Sequence, residues 1–217
     1  MNKSIAAALL TLIFMLCACD RTTTVASGTP PPTYESDSSK SFFSAVERGD
    51  HNAAVSILQE TVAKPNPPAA ALFNLGLAYE KGEGIKQDSA EAAKWYQKAA
   101  EKGYPAAEFN LAVLYANGNG VPSSMTDALK WYRIAASHGY RGAQYNLGVL
   151  YAKGIGVPES KELAYMWWDL AATEDGLARG PAERNKQRLA SQMTPEAISR
   201  AERIIDRCKS SNYTNCE

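Results

Sequence analysis

The chain has 217 residues, 45% hydrophobic and 21% charged, which is enough for one domain with a buried core once the terminal segments are set aside. Its 23 basic and 23 acidic side chains cancel to a formal charge of zero, and no block of like charge occurs. This excludes the electrostatic footprint of a nucleic-acid binder, so no nucleic-acid partner is expected.

In chain order, Lys3 supplies a positive start, and Ile5 to Leu16 form an apolar run of signal-core length, too short to span a bilayer. The run enters Leu16-Cys17-Ala18-Cys19, which resembles a bacterial lipobox with Cys19 as the lipid acceptor. Cys17 is unusual in the intervening position but small enough to fit. The resemblance implies a lipoprotein: residues 1–18 are removed as a signal peptide, and acyl chains on Cys19 anchor the protein in the lipid bilayer. An ordinary cleaved signal peptide, leaving a soluble periplasmic or secreted protein, is the alternative. Asp20 resembles the inner-membrane retention signal of enteric bacteria, but that rule varies and the choice of membrane stays open. The expected location is the bacterial cell envelope, facing the periplasm, with secretion or cell-surface display as the other option.

Residues 19–40 are rich in Thr, Ser and Pro and poor in large apolar groups. They cannot bury enough surface to offset the entropy of ordering, so they read as a disordered tether. Pro30-Pro31-Pro32 is too short to favour a proline-rich ligand. Residues 41–67 predict an N-terminal capping pair of helices. Phe42, Phe43 and Val46 make one apolar stripe before Gly49-Asp50, and Ala53, Ala54, Ile57 and Leu58 make another. Pro65, Pro67 and Pro68 end the segment.

Three units follow at a 36-residue step, residues 68–103, 104–139 and 140–175. Their first phrases are LFNLGLAYEKGEGI, EFNLAVLYANGNGV and QYNLGVLYAKGIGV, and their second phrases are EAAKWYQKAAEKGY, TDALKWYRIAASHGY and ELAYMWWDLAATEDG. A fixed period of this length predicts an all-α solenoid in which each unit packs on its neighbours. Leu72, Leu75, Ala78 and Tyr79 share one face of a first helix. Gly76, Ala112 and Gly148 hold a position where a side chain would keep a neighbouring helix away. Gly82, Gly118 and Gly154 are expected to stop each first helix in the left-handed conformation. Gly84, Gly120 and Gly156 continue the bend, and Ile85, Val121 and Val157 return to the core. Asp88, Ser124 and Ser160 are expected N-caps of the second helices. Glu91 and Asp127 sit where a capping box would place an acid, a detail that Leu163 breaks. All four tryptophans fall in the pairs Trp95-Tyr96, Trp131-Tyr132 and Trp167-Trp168, followed by Ala99-Ala100, Ala135-Ala136 and Ala171-Ala172. Recurrence at a packing position favours inter-repeat core over an aromatic binding cage.

The pattern A-x-x-x-L-G-x-x-Y-x-x-G-x-G-[IV] followed by A-x-x-W-[YW]-x-x-A-A resembles the Sel1-like repeat, a relative of the tetratricopeptide repeat, over residues 68 to about 175. The resemblance implies a right-handed superhelix of antiparallel helix pairs, with helical caps, acting in protein–protein interaction. The second unit departs at Ala112, where the family usually has Gly and where slightly wider packing is expected. The third departs at Asp175, which replaces the closing Gly103 and Gly139.

Residues 176–217 lose the period and predict capping helices with a disulfide tail. Arg184 to Met193 suggests one helix with Leu189 inward. Thr194-Pro195-Glu196 starts a last one, striped by Ala197, Ile198, Ala201, Ile204 and Ile205. With Cys17 removed and Cys19 acylated, Cys208 and Cys216 remain, and an exported pair in a short tail reads as one disulfide. A zinc site is a poor competitor there, with no further Cys or His nearby.

Chemistry is sparse. His51 and His138 lie far apart, and His138 reads as a cation at a helix C-terminus. No hydrolase or metalloprotease motif occurs. The Gly-x-Gly pairs lack the third glycine and preceding strand of a dinucleotide fingerprint. No catalytic residue, metal or small-molecule cofactor is expected. In tetratricopeptide-like arrays the first helices line the concave face, which here carries Phe73, Asn74 and Leu77, then Phe109, Asn110 and Val113, then Tyr145, Asn146 and Val149. The asparagines both donate and accept, and the row suits the backbone of an extended protein or peptide partner. Equally, each Asn can serve backbone groups inside its own repeat. The preferred function is a non-enzymatic scaffold anchored in the envelope. The alternative is binding or hydrolysis of cell-wall material or β-lactams, described for cysteine-rich Sel1-like proteins, although these three repeats contain no cysteine.

Overall fold

The computed structural model describes residues 37–172 and 179–217. The lipobox, Cys19, the tether up to residue 36 and Asp175 lie outside the described residues. The regular structure of the described residues is ten helices: α1 Asp37–Glu47, α2 His51–Val62, α3 Ala69–Lys81, α4 Ser89–Ala100, α5 Pro105–Asn117, α6 Met125–Ser137, α7 Arg141–Lys153, α8 Lys161–Ala172, α9 Arg179–Ala190 and α10 Pro195–Ser210. The three repeats are the pairs α3–α4, α5–α6 and α7–α8, each packed on the next. The pair α1–α2 precedes them, and α9 and α10 both pack on α8.

Local sequence explains where each pair folds back. The first helices end at Gly82, Gly118 and Gly154, with φ of 74°, 71° and 62°, where glycine carries no Cβ penalty. The second glycine of each bend also lets repeats touch: a Cβ on Gly120 would collide with the Ser89 backbone of the preceding repeat. The second helices start on side-chain caps. Asp88 Oδ1 accepts from the backbone N–H of Ala90 and Glu91 at 2.9 and 3.1 Å, and the hydroxyls of Ser124 and Ser160 accept from Asp127 and Leu163 at 3.2 Å.

The capping box itself does not form. The N–H groups of Asp88, Ser124 and Ser160 already donate to the carbonyls of Tyr79, Tyr115 and Tyr151 at 2.9, 2.9 and 3.0 Å. No backbone donor remains for the acid three residues on, so Glu91 pairs with Lys94 at 2.6 Å and Asp127 accepts from the Ser124 hydroxyl at 2.5 Å instead.

The core runs as three clusters along the array. Val55, Leu58, Ala71, Leu75 and Ala78 form the first; Leu72, Tyr96 and Leu111 belong to the second; Leu147, Trp167, Trp168 and Leu170 belong to the third. Trp95 packs against the first and second clusters and Trp131 against the second and third, so these side chains join repeats. In α1 Ala45 is buried and Phe42 packs partly buried against the first cluster, while Phe43 faces out at 55% exposure and meets Phe42 edge-on. The expected stripe was too wide because α1 packs mainly on α2, its one close helical neighbour. In α2 the buried side is Ala54, Val55, Leu58 and Thr61.

Helix α9 begins at Arg179 rather than Arg184, because Gly180-Pro181 falls in its first turn, where a missing N–H costs nothing. Leu189 is buried as expected, and Met193 lies past the helix end. Helix α10 starts on Thr194, whose hydroxyl accepts from Ala197 N–H at 3.2 Å, and buries Ala201, Ile205 and Cys208.

Candidate functional site

The residues expected on the inner face do not share one environment. Phe73 and Phe109 are half-buried, and each is held by two tyrosines. Phe73 lies 5.6 Å from Tyr96 and 5.0 Å from Tyr104; Phe109 lies 5.8 Å from Tyr132 and 4.9 Å from Tyr140, centroid to centroid. The outer tyrosine in each case opens the next repeat, so these rings are wedged into junctions with one edge open. Leu77 and Val113 are half-buried beside them. Tyr145 and Val149 are buried instead. The Tyr145 carbonyl accepts from Trp168 Nε1 at 3.2 Å and its hydroxyl from Asn185 Nδ2 of α9 at 3.2 Å, which places the third aromatic beneath the C-terminal cap.

The asparagine row divides as well. Asn110 hydrogen-bonds the Tyr96 hydroxyl, which donates to the Glu80 carboxylate. Burial first, and then Glu80, push the Tyr96 hydroxyl far above the usual tyrosine range. Asn110 therefore ties its own repeat to the preceding one. Asn74 and Asn146 are half-buried, and neither side chain hydrogen-bonds another described residue.

Two polar arrangements were not anticipated. Glu108 is fully buried, with its carboxylate oxygens 2.8 and 3.0 Å from His138 Nδ1. His138 does cap α6, but its ring answers this carboxylate rather than the helix end alone. Burial raises the Glu108 pKa, and the His138 hydrogen bond pulls it partly back. The signal in the sequence was the register: the equivalent positions are Leu72 and Gln144, both also buried.

The second arrangement is at the tail. Cys208 and Cys216 form a disulfide, and both are buried in the third cluster. The bridge folds residues 211–217 back toward α6. Arg133 Nε donates to Glu217 Oε2 at 2.6 Å, and Nη2 donates to the Tyr151 hydroxyl at 2.8 Å. Tyr151 is pushed up to about 12, by burial first and then by its hydrogen bond to Glu217. Arg133, Ile134, Ser137, Trp167 and residues 213–217 enclose a cleft of about 360 Å³. A second cleft of about 430 Å³ lies between the start of α8 and the α9–α10 turn, crossed by the 2.7 Å Arg200–Glu162 pair. Among the described residues, no group of three or more His, Cys, Asp and Glu side chains is placed to hold a metal ion. No described helix is long and apolar enough to cross a membrane.

The helix pairs, their glycine bends and the aromatic junctions define a repeat solenoid of the tetratricopeptide-related kind. The family model described as the Sel1 repeat matches three times, at residues 69–104, 105–140 and 142–176. The chain thus carries three consecutive Sel1 repeats. Solved structures agree. A Sel1 repeat protein from Oxalobacter formigenes is 29% identical, aligning 70% of this chain with 59% of its own at a TM-score of 0.62. The protein c5321, a protective antigen present in uropathogenic Escherichia coli strains and displaying an SLR fold, is 30% identical. It aligns with 65% of this chain over 34% of its own, at a TM-score of 0.50. The chain therefore spans less than two thirds of either structure.

Proposed function

We propose that this protein is a non-enzymatic interaction scaffold, held in the bacterial cell envelope by lipid on Cys19. It binds a protein or extended peptide along the face made by α3, α5 and α7. Repeat solenoids present extended surfaces of this kind. The observation that carries the reading is the pair of half-buried amides on Asn74 and Asn146, which hydrogen-bond no other described residue, next to the half-open rings of Phe73 and Phe109. An amide that both donates and accepts suits a peptide backbone, and an aromatic edge suits an apolar side chain. Asn110 supports the face from below through Tyr96.

Proximity crosslinking in the native envelope tests both halves. Wild type is compared with Asn74→Ala/Asn146→Ala and with Cys19→Ser. The double substitution is expected to lose specific partners with an unchanged melting temperature, because neither amide holds the fold. Cys19→Ser is expected to lose them by displacing the whole domain. Retention of the same partners by the double variant would move the binding face elsewhere. Retention by Cys19→Ser would remove the anchor from the proposal.

A further inference from the structure

The cleft under the tail is built around a carboxylate. Three groups converge on Glu217: Arg133 through Nε and Nη2, both 2.6 Å from Oε2, and the Tyr151 hydroxyl. Arg133 occupies a repeat position held by Gln97 and Asp169 in the other units, so this guanidinium belongs to the second repeat alone. The cleft wall also contains Trp167, 2% exposed, whose indole N–H, like that of Trp95 at the equivalent repeat position, is buried without an acceptor among the described residues. A buried donor left unpaired is costly. The tail supplies the acid from an unfavourable backbone: Asn212 and Tyr213 both lie in the left-handed region, at φ of 52° and 63°. Only the adjoining Cys208–Cys216 bridge holds this hook covalently in place.

We propose that this cleft is a binding site for an acidic side chain of a partner peptide, and that Glu217 is its internal occupant. An incoming Asp or Glu takes the place of Glu217 on Arg133 and Tyr151. Only the Glu217 side chain turns out, while the disulfide keeps Cys216 and the rest of the tail against α10 as the wall of the cleft. This site is separate from the inner face and does not depend on the function proposed for it.

The test uses the full chain and a pentapeptide copying residues 213–217 with Ser in place of Cys216, acetyl-Tyr-Thr-Asn-Ser-Glu-amide, with its Gln-ended counterpart as control. Binding is read by calorimetry and by the tryptophan fluorescence of the protein. Glu217→Gln is expected to bind the Glu-ended peptide about tenfold tighter than wild type does, and about tenfold tighter than the Gln-ended peptide, as expected for a charge-assisted hydrogen-bonded pair. Adding Arg133→Gln should abolish that discrimination, and adding Tyr151→Phe should weaken it several-fold. Melting temperatures confirm that each variant is folded, and Tyr151→Phe carries the test if Arg133→Gln does not fold. Equal affinity for the two peptides in Glu217→Gln, or discrimination undiminished by loss of either partner, would reduce the Arg133–Glu217 contact to a surface clasp and overturn the proposal.

Discussion

Glu108 sits where the first repeat has Leu72 and the third has Gln144, so the same pocket accepts an apolar, a neutral polar and an acidic side chain. The acid is tolerated through His138, which contacts its carboxylate from the far end of the same repeat. Burial raises the folded-state pKa of Glu108 above the ordinary carboxylate value. The native state therefore holds this proton more tightly than the unfolded chain does. The stabilisation that follows is complete below the unfolded value and is lost as pH rises through the raised one. Glu108→Gln removes that dependence while keeping a side chain that the third repeat already uses. We expect its melting temperature at about pH 7 to equal or exceed that of wild type, with the order reversing toward about pH 4. Thermal unfolding followed by circular dichroism across that range decides. A wild-type advantage that grows with pH would mean that the His138 contact outweighs burial.

At the scale of the helix, the close approach of each pair rests on one small residue. A Cβ added to Gly148 would stand 2.5 Å from Cδ1 and Nε1 of Trp168, and the ring has nowhere to go, being buried and hydrogen-bonded to Tyr145. Gly148→Ala should cost about 1–3 kcal/mol, the usual range for overpacking a filled core, despite the better helix propensity of alanine. Denaturant unfolding measures it, and a neutral or stabilising result would show that α7 and α8 part without penalty. The second repeat carries Ala112 natively at this position, fully buried.

The same elements show what was legible beforehand. Helix stops, N-caps and small contact positions depend on residues within a few places of one another, so a 36-residue period exposes them directly. The width of the α1 stripe was misjudged because Phe43 is governed by how many neighbours α1 has, not by its own periodicity. Arg133 and Glu217 stand 84 residues apart, and only the folded tail brings them together. The asparagines looked equivalent in sequence, but Glu80 next to Tyr96 gives Asn110 a structural task; the corresponding residues of the next two repeats are Ala116 and Ala152.

For the whole molecule, stability is a chain of neighbour contacts rather than one core, and Trp131 is the joint between the second and third clusters. The third cluster is the most extensive and is closed by α9, α10 and the disulfide, whereas the first rests on two short capping helices. Truncating Trp131 should therefore do more than lower stability by a few kcal/mol, the usual cost of removing a large aromatic. It should uncouple the ends. In Trp131→Ala, native-state hydrogen exchange is expected to show α3 and α4 opening well before α7, α8 and α10, where wild type loses protection more nearly as a unit. An equal fall in protection across all repeats would instead mean that coupling runs through the many alanine contacts between helices, with the tryptophan contributing only bulk. A partner bound across α3, α5 and α7 would span this joint. The same variant would then bind more weakly without losing a contact residue, because part of the binding free energy would go into realigning the two halves.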